Sequence, residues 1–258
     1  MQNALAAGLL ASIVCGLIGP FIVSRRMVFI SGGLSHTAFG GLGIAYWLGL
    51  NPLWGAFIFV LGAAFLIGWR EERQKGEDLF IGILWASGVA VGIIFIHLTP
   101  GYVPDLMAFL FGNILTVSPQ DLKLEALLVV FVALVIIVFF RGFVSITFDE
   151  EYAKARKMPV KSLNLLMLSL FAISIVALIQ MVGIILVIAL ITIPVAIAQE
   201  FSVDFKKMMF LSALLGMLFC WTGLIVSYFL EIPSGATIIV GGTLGLFFTK
   251  GWKRCYGR

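Results

Sequence analysis

Apolar residues run through this chain in long blocks separated by short polar breaks, and the breaks carry most of the charge. A helix needs about 20 mostly apolar residues to cross a bilayer. By that measure the pattern predicts membrane-spanning helices over residues 5–23, 27–48, 52–69, 79–98, 124–140, 163–181, 184–198, 208–230 and 236–248. Residues 105–115 are too few to cross. After the break Pro100-Gly-Tyr-Val-Pro104 they read as a re-entrant or interfacial helix with Asp105 as its N-cap. The longest polar connection is 141–162. The resulting fold class is an all-α integral membrane protein with about eight or nine transmembrane helices. It forms a single transmembrane domain over 1–258, with 141–162 as its main loop.

The basic residues test this threading. Of the 17 Lys and Arg, all but Lys123 fall on one side of a nine-span arrangement. The positive-inside rule makes that side the cytoplasm, with the N-terminus outside and the C-terminus inside.

Composition sharpens the class. The chain has 258 residues, 61% hydrophobic and 12% charged, with mean hydropathy +1.12. A soluble domain carries about 25% charged residues. Nearly all the length is used in crossing, which leaves no room for a soluble catalytic domain. Cytoplasmic loops explain the net charge of +4 without any nucleic acid. Cys15, Cys220 and Cys255 show no paired or metal-type spacing. The first residues, Met1-Gln-Asn-Ala, lack the basic start of a signal peptide, so the first block is kept as a span.

No phosphate-binding G-x-x-x-x-G-K-[ST] loop, no H-E-x-x-H and no nucleophile elbow is present. The chain is therefore not read as an enzyme, and any work it does is vectorial. The first candidate for that work is His36, in the run Ser31-Gly-Gly-Leu-Ser-His-Thr-Ala-Phe-Gly-Gly-Leu-Gly43. Read as a helix, the run puts Gly32 and Gly33 one turn before the imidazole, Gly40 one turn after it and Gly43 beyond. That face is almost bare backbone, suited to close helix approach, and it leaves space beside a ring that suits transition metals. A helix–helix hydrogen bond is the bland alternative. His97, near the outer end of its span, reads as interfacial. Gly88 and Gly92 form a second close-packing pair.

Pro194 interrupts its span and leaves the Leu190 carbonyl without its helical donor, with Thr192 placed to help re-satisfy the backbone. A simple kink is the competing reading. In the long loop, Thr147 and Glu150 fit a capping box, acids lead, bases follow and Pro159 stops the helix. The short amphiphilic helix of Asp149, Glu150, Glu151, Tyr152, Ala153, Lys154, Ala155 and Arg156 is either a solvated surface or a docking surface.

Five stretches together resemble the membrane permease of the zinc/manganese/iron family of ABC importers. They are 31–43, 106–115 (Leu106-Met-Ala-Phe-Leu-Phe-Gly-Asn-Ile-Leu115), 148–155 (Phe148-Asp-Glu-Glu-Tyr-Ala-Lys-Ala155), 182–198 and 232–237 (Ile232-Pro-Ser-Gly-Ala-Thr237). They run in family order over nearly the whole chain. The resemblance implies a homodimeric or paired permease in a bacterial plasma membrane and a separate cytoplasmic ATPase docked on the helix Asp149 to Arg156. It also implies an extracytoplasmic metal-binding protein that delivers the ion. No cofactor is held permanently; the divalent ion is cargo and ATP acts through the partner. The family's pathway histidine maps onto His36, with Gly32, Gly40, Thr192 and Pro194 as pathway or hinge positions. Many members carry an aspartate four residues before that histidine, where this chain has Gly32. Loss of that carboxylate favours a borderline ion such as zinc over the harder manganese.

Two other classes remain. A secondary transporter would need its own ionisable groups inside the spans, and a membrane scaffold or receptor would need no polar pathway. ATP-dependent metal uptake by a purified complex separates the three.

Overall fold

The computed structural model describes residues 1–69, 77–100, 110, 112 and 114–256. Among them are ten α-helices, one 3-10 turn (Ile114–Thr116) and no strand. The helices are α1 (Gln2–Ser24), α2 (Val28–Trp47), α3 (Pro52–Trp69), α4 (Glu77–Leu98), α5 (Pro119–Phe148), α6 (Glu150–Ala155), α7 (Val160–Val182), α8 (Ile184–Phe201), α9 (Phe205–Leu230) and α10 (Ser234–Tyr256). Eight are long and apolar enough to cross a membrane; α10 falls short because its apolar part ends in the basic tail. The chain is an all-α, multi-pass membrane protein. Helix is the expected answer wherever a backbone must satisfy its own polar groups in lipid. Asp105 and most of the expected 105–115 helix lie outside the described residues.

Helix ends follow local chemistry. Ser118 and Asp121 cap α5 reciprocally: the Ser118 hydroxyl donates to Asp121 Oδ2 at 2.6 Å, and the Asp121 N–H donates to Ser118 Oγ at 3.2 Å. Asp204 caps α9 by accepting the Lys207 N–H at 3.0 Å, and this bond holds its carboxyl below the usual carboxylate range. A single residue, Gly183 at φ +80°, separates α7 from α8. That left-handed break suits glycine.

One expected boundary moves. Arg141 reads as the end of the fifth span, but α5 continues to Phe148. Beyond Arg141, Phe143 and Ile146 are fully buried. Core contacts therefore carry the helix past the charge, and the non-helical part of the expected 141–162 loop shrinks to the caps around α6.

The described residues form two compact units. One comprises Met1–Ser24, Met107–Val138 and Leu178–Arg258, and is built on α1. Gly16 of α1 meets Ala213 of α9 so closely that a Cβ would lie 2.6 Å from its backbone. Gly19 similarly meets the Ile191 carbonyl of α8 at 2.7 Å. Phe21 and Phe205 pack with ring centroids 4.7 Å apart.

The other unit comprises Arg25–Leu106 and Phe139–Ala177, and is built on α2. Here α2 packs on both α3 and α4. Gly41 meets the carbonyl of Gly55 on α3, and Gly43 meets Gly92 on α4. A Cβ on Gly88 would lie 2.7 Å from Thr37 Cα. Backbone therefore touches backbone along α2, the arrangement that small residues permit in lipid. Outward positions such as Trp54, Ile58, Phe65 and Trp69 on α3 are large, apolar and exposed, as lipid-facing side chains should be.

Candidate functional site

The α2–α4 register determines what stands beside His36. Moving along α2, Gly33 faces Ile81, Thr37 faces Gly88 and Gly43 faces Gly92, so the two helices run in the same direction. Trp85 lies one turn before Gly88 and falls across from the imidazole. The two rings stack at 4.3 Å between centroids with 11° between planes. Phe39 lies further off at 6.2 Å. His36 itself is half-buried. The Thr37 hydroxyl donates to the Gly33 carbonyl at 2.7 Å and, more weakly, to the Leu84 carbonyl of α4 at 3.4 Å.

This corrects the expectation of open space beside the ring. Gly33, Gly40 and Gly43 are filled by α4 and by Phe59 of α3, whose Cε1 would lie 2.8 Å from a Cβ on Gly40. Bare glycine in lipid gains most by close helix approach, so the room is taken by backbone, and an indole lies beside the ring. Gly32 is buried on the same helix and supplies no carboxylate. Among the described residues no group of three or more His, Cys, Asp or Glu could hold a metal. A single half-open imidazole fits brief contact with an ion better than permanent ligation.

Thr192 and Pro194 lie in α8, in the unit built on α1, whereas His36, Gly32 and Gly40 lie in the other. Thr192 donates to the carbonyls of Ile188 at 2.8 Å and Ala189 at 3.3 Å. It therefore does not serve the Leu190 carbonyl that Pro194 leaves open.

The short helix α6 belongs to the same unit as His36. Asp149 is its N-cap and accepts the Tyr152 N–H at 2.8 Å. Thr147, expected to cap it, lies inside α5 and donates to the Phe143 carbonyl at 2.6 Å. The helix is stopped by Lys157 at φ +55°, two residues before Pro159. Glu151, Tyr152, Lys154, Ala155 and Arg156 are exposed, and the Arg156 guanidinium stands over the Tyr152 ring at 5.3 Å. Ala153 is fully buried. It faces inward and seats the helix, and the outward face is made by its exposed neighbours.

The model of the ABC 3 transport family matches residues 1–252. The chain belongs to the ABC 3 transport family. Among its ABC 3 relatives, the manganese transport system membrane protein MntC of Halalkalibacterium halodurans is 36% identical over 241 residues, covering 93% of this chain and 82% of that protein. The probable metal transport system membrane protein of Chlamydia pneumoniae is 37% identical over 250 residues, covering 94% of this chain and 85% of its own length. The structure of PsaBC from Streptococcus pneumoniae in complex with Fab is similar with a TM-score of 0.85 and 33% identity, covering 96% of this chain and 90% of that one.

Three residues of this ABC 3 chain escaped the sequence reading. Trp85 is far from His36 in sequence, and only the helix register joins them. Arg25 counted there as topogenic charge alone. In the structure it is 8% exposed, its Nη1 donates to Asn164 Oδ1 at 2.7 Å, and its Nη2 lies 3.6 Å from Glu150 Oε2 at the start of α6. Glu125 carried a visible signal, a carboxylate inside an apolar block. It is 3% exposed, and among the described residues neither carboxylate oxygen has a hydrogen-bond partner.

Proposed function

We propose that this ABC 3 protein is the membrane-spanning permease of an ATP-driven importer for a divalent transition-metal ion, manganese ahead of zinc or iron. The observation that carries the reading is the union of two features in one compact unit: the half-open His36 imidazole on α2 and the outward polar face of α6. A second copy of the permease pairs with the first. A cytoplasmic ATPase docks on Asp149, Glu150, Glu151, Tyr152, Lys154, Ala155 and Arg156, and an extracytoplasmic metal-binding protein presents the ion. The chain carries no phosphate-binding loop, so hydrolysis takes place in the ATPase.

Gly32 argued for zinc, because it removes a hard oxygen ligand. The relative at 36% identity is named for manganese, as are those of Listeria at 32%. One imidazole discriminates poorly between first-row ions, so the names carry more weight than the missing carboxylate. A secondary transporter would need ionisable groups with partners along a path. Glu125 stands without one among the described residues.

Proteoliposomes holding the permease, its ATPase and its binding protein test the proposal. Manganese uptake should require ATP, and excess zinc should compete less well than excess unlabelled manganese. Uptake without ATP would make the chain a secondary transporter. Uptake of zinc alone would reverse the order of ions.

A further inference from the structure

Outside the His36 stack, the polar contact that reaches furthest along the chain among the described residues of the α2 unit is made by Arg25. It follows α1 directly, and Arg26, at φ +58°, turns the chain into α2. A guanidinium this buried needs partners for its fork of donors. Two of them lie on different elements: Asn164 on α7 at 2.7 Å, and Glu150, the first residue of α6, at 3.6 Å. Glu150 also pairs with Lys154 one turn on, at 3.5 Å. One side chain therefore ties the base of α2, the base of α7 and the start of α6 together. From the start of α2 to His36 is about 12 Å of uninterrupted helix at 1.5 Å per residue.

We propose that Arg25 is a positioning residue for transport: it fixes α6 to the base of α2, so that movement of the ATPase against α6 displaces the helix that carries His36. The proposal rests on α6 being the ATPase dock. The action of Arg25 is mechanical, passing a displacement from one element to another through a two-pronged contact. Lysine would keep the charge but could not hold Asn164 and Glu150 in the same fork.

The test uses the complete complex in proteoliposomes and reads two quantities, the amount of ATPase that co-purifies and the number of metal ions taken up per ATP hydrolysed. Arg25→Gln should leave co-purified ATPase near the wild-type amount and lower uptake per ATP about tenfold. Arg25→Lys should fall between the two. Should Arg25→Gln not fold, Glu150→Gln keeps Arg25 and its bond to Asn164, and it should still lower uptake per ATP about threefold. The exchange Arg25→Glu with Glu150→Arg should recover part of the loss. Normal uptake per ATP in Arg25→Gln, or in Glu150→Gln where Arg25→Gln does not fold, overturns the proposal. So does an exchange no better than the sum of its single changes. Failure of the underlying dock looks different: replacing the exposed Tyr152 and Glu151 by Ala would then leave the ATPase bound.

Discussion

The unit that carries His36 and the unit built on α1 close their helix contacts with the same small residues, yet they treat buried ionisable side chains in opposite ways. In the first, Arg25 is buried with Asn164 and Glu150 at its guanidinium, and His36 is stacked on Trp85. In the second, Glu125 is buried with both oxygens unpartnered among the described residues. Buried serine hydroxyls turn back onto their own helices in both units: Ser35 donates to the Ser31 carbonyl at 2.8 Å, and Ser12 to the Gly8 carbonyl at 2.6 Å. Packing is thus common to the two units, and what separates them is how the buried ionisable groups are used. One unit ties its buried guanidinium to two other elements; the other pairs Lys253 with Glu200 across α10 and α8 nearer its surface, at 3.4 Å, and leaves its buried carboxylate without a hydrogen-bond partner among the described residues.

The largest expected effect breaks the shared packing rule. Gly41→Val forces a branched side chain onto the Gly55 carbonyl, where backbone meets backbone and nothing flexible can yield. Overpacking of this kind costs about 3 kcal/mol or more, and the variant should fail to purify as a monodisperse species. Its control is Gly62→Ala on α3, where nothing lies within 4 Å. That change should be neutral or stabilise by up to about 1 kcal/mol.

Next comes the contrast between the buried charges. Arg25→Gln should lower the thermal midpoint, through a loss of about 2 kcal/mol. Glu125→Met should move it the other way, by about 1–2 kcal/mol, because it removes two buried oxygens that have no partner among the described residues. If both variants are destabilised, Glu125 has a partner and the contrast between the units collapses. A smaller effect is expected at the stack. Trp85→Leu should cost about 1 kcal/mol and change the metal dependence of uptake, while Trp85→Phe should keep most of both.

Much of this architecture was legible because lipid imposes one rule on every span. The block at residues 52–69 coincides with α3 (Pro52–Trp69), since a proline starts it and charge follows it. The fifth block stopped short because Arg141 looks like an interface residue, whereas a long cationic side chain can run along an apolar surface while the core behind it continues. The cap of α6 was misplaced by two residues. Thr147 and Asp149 are both good caps, and only the length of α5 decides between them. His36 stood out in the sequence, but its stacking partner did not, because Trp85 reaches it through a glycine register shared by two helices. The link from Arg25 to Asn164 spans 139 positions and leaves no local trace.

His36→Asn keeps a hydrogen-bonding side chain of similar size but ligates metal poorly, so its uptake curve tests the central claim most directly. In proteoliposomes with ATPase and binding protein, its ATP-driven uptake should fall about tenfold or more at every metal concentration. The thermal midpoint and the amount of co-purified ATPase should stay at wild-type values. Wild-type uptake across the whole concentration range would contradict the account and leave His36 as a packing partner of Trp85.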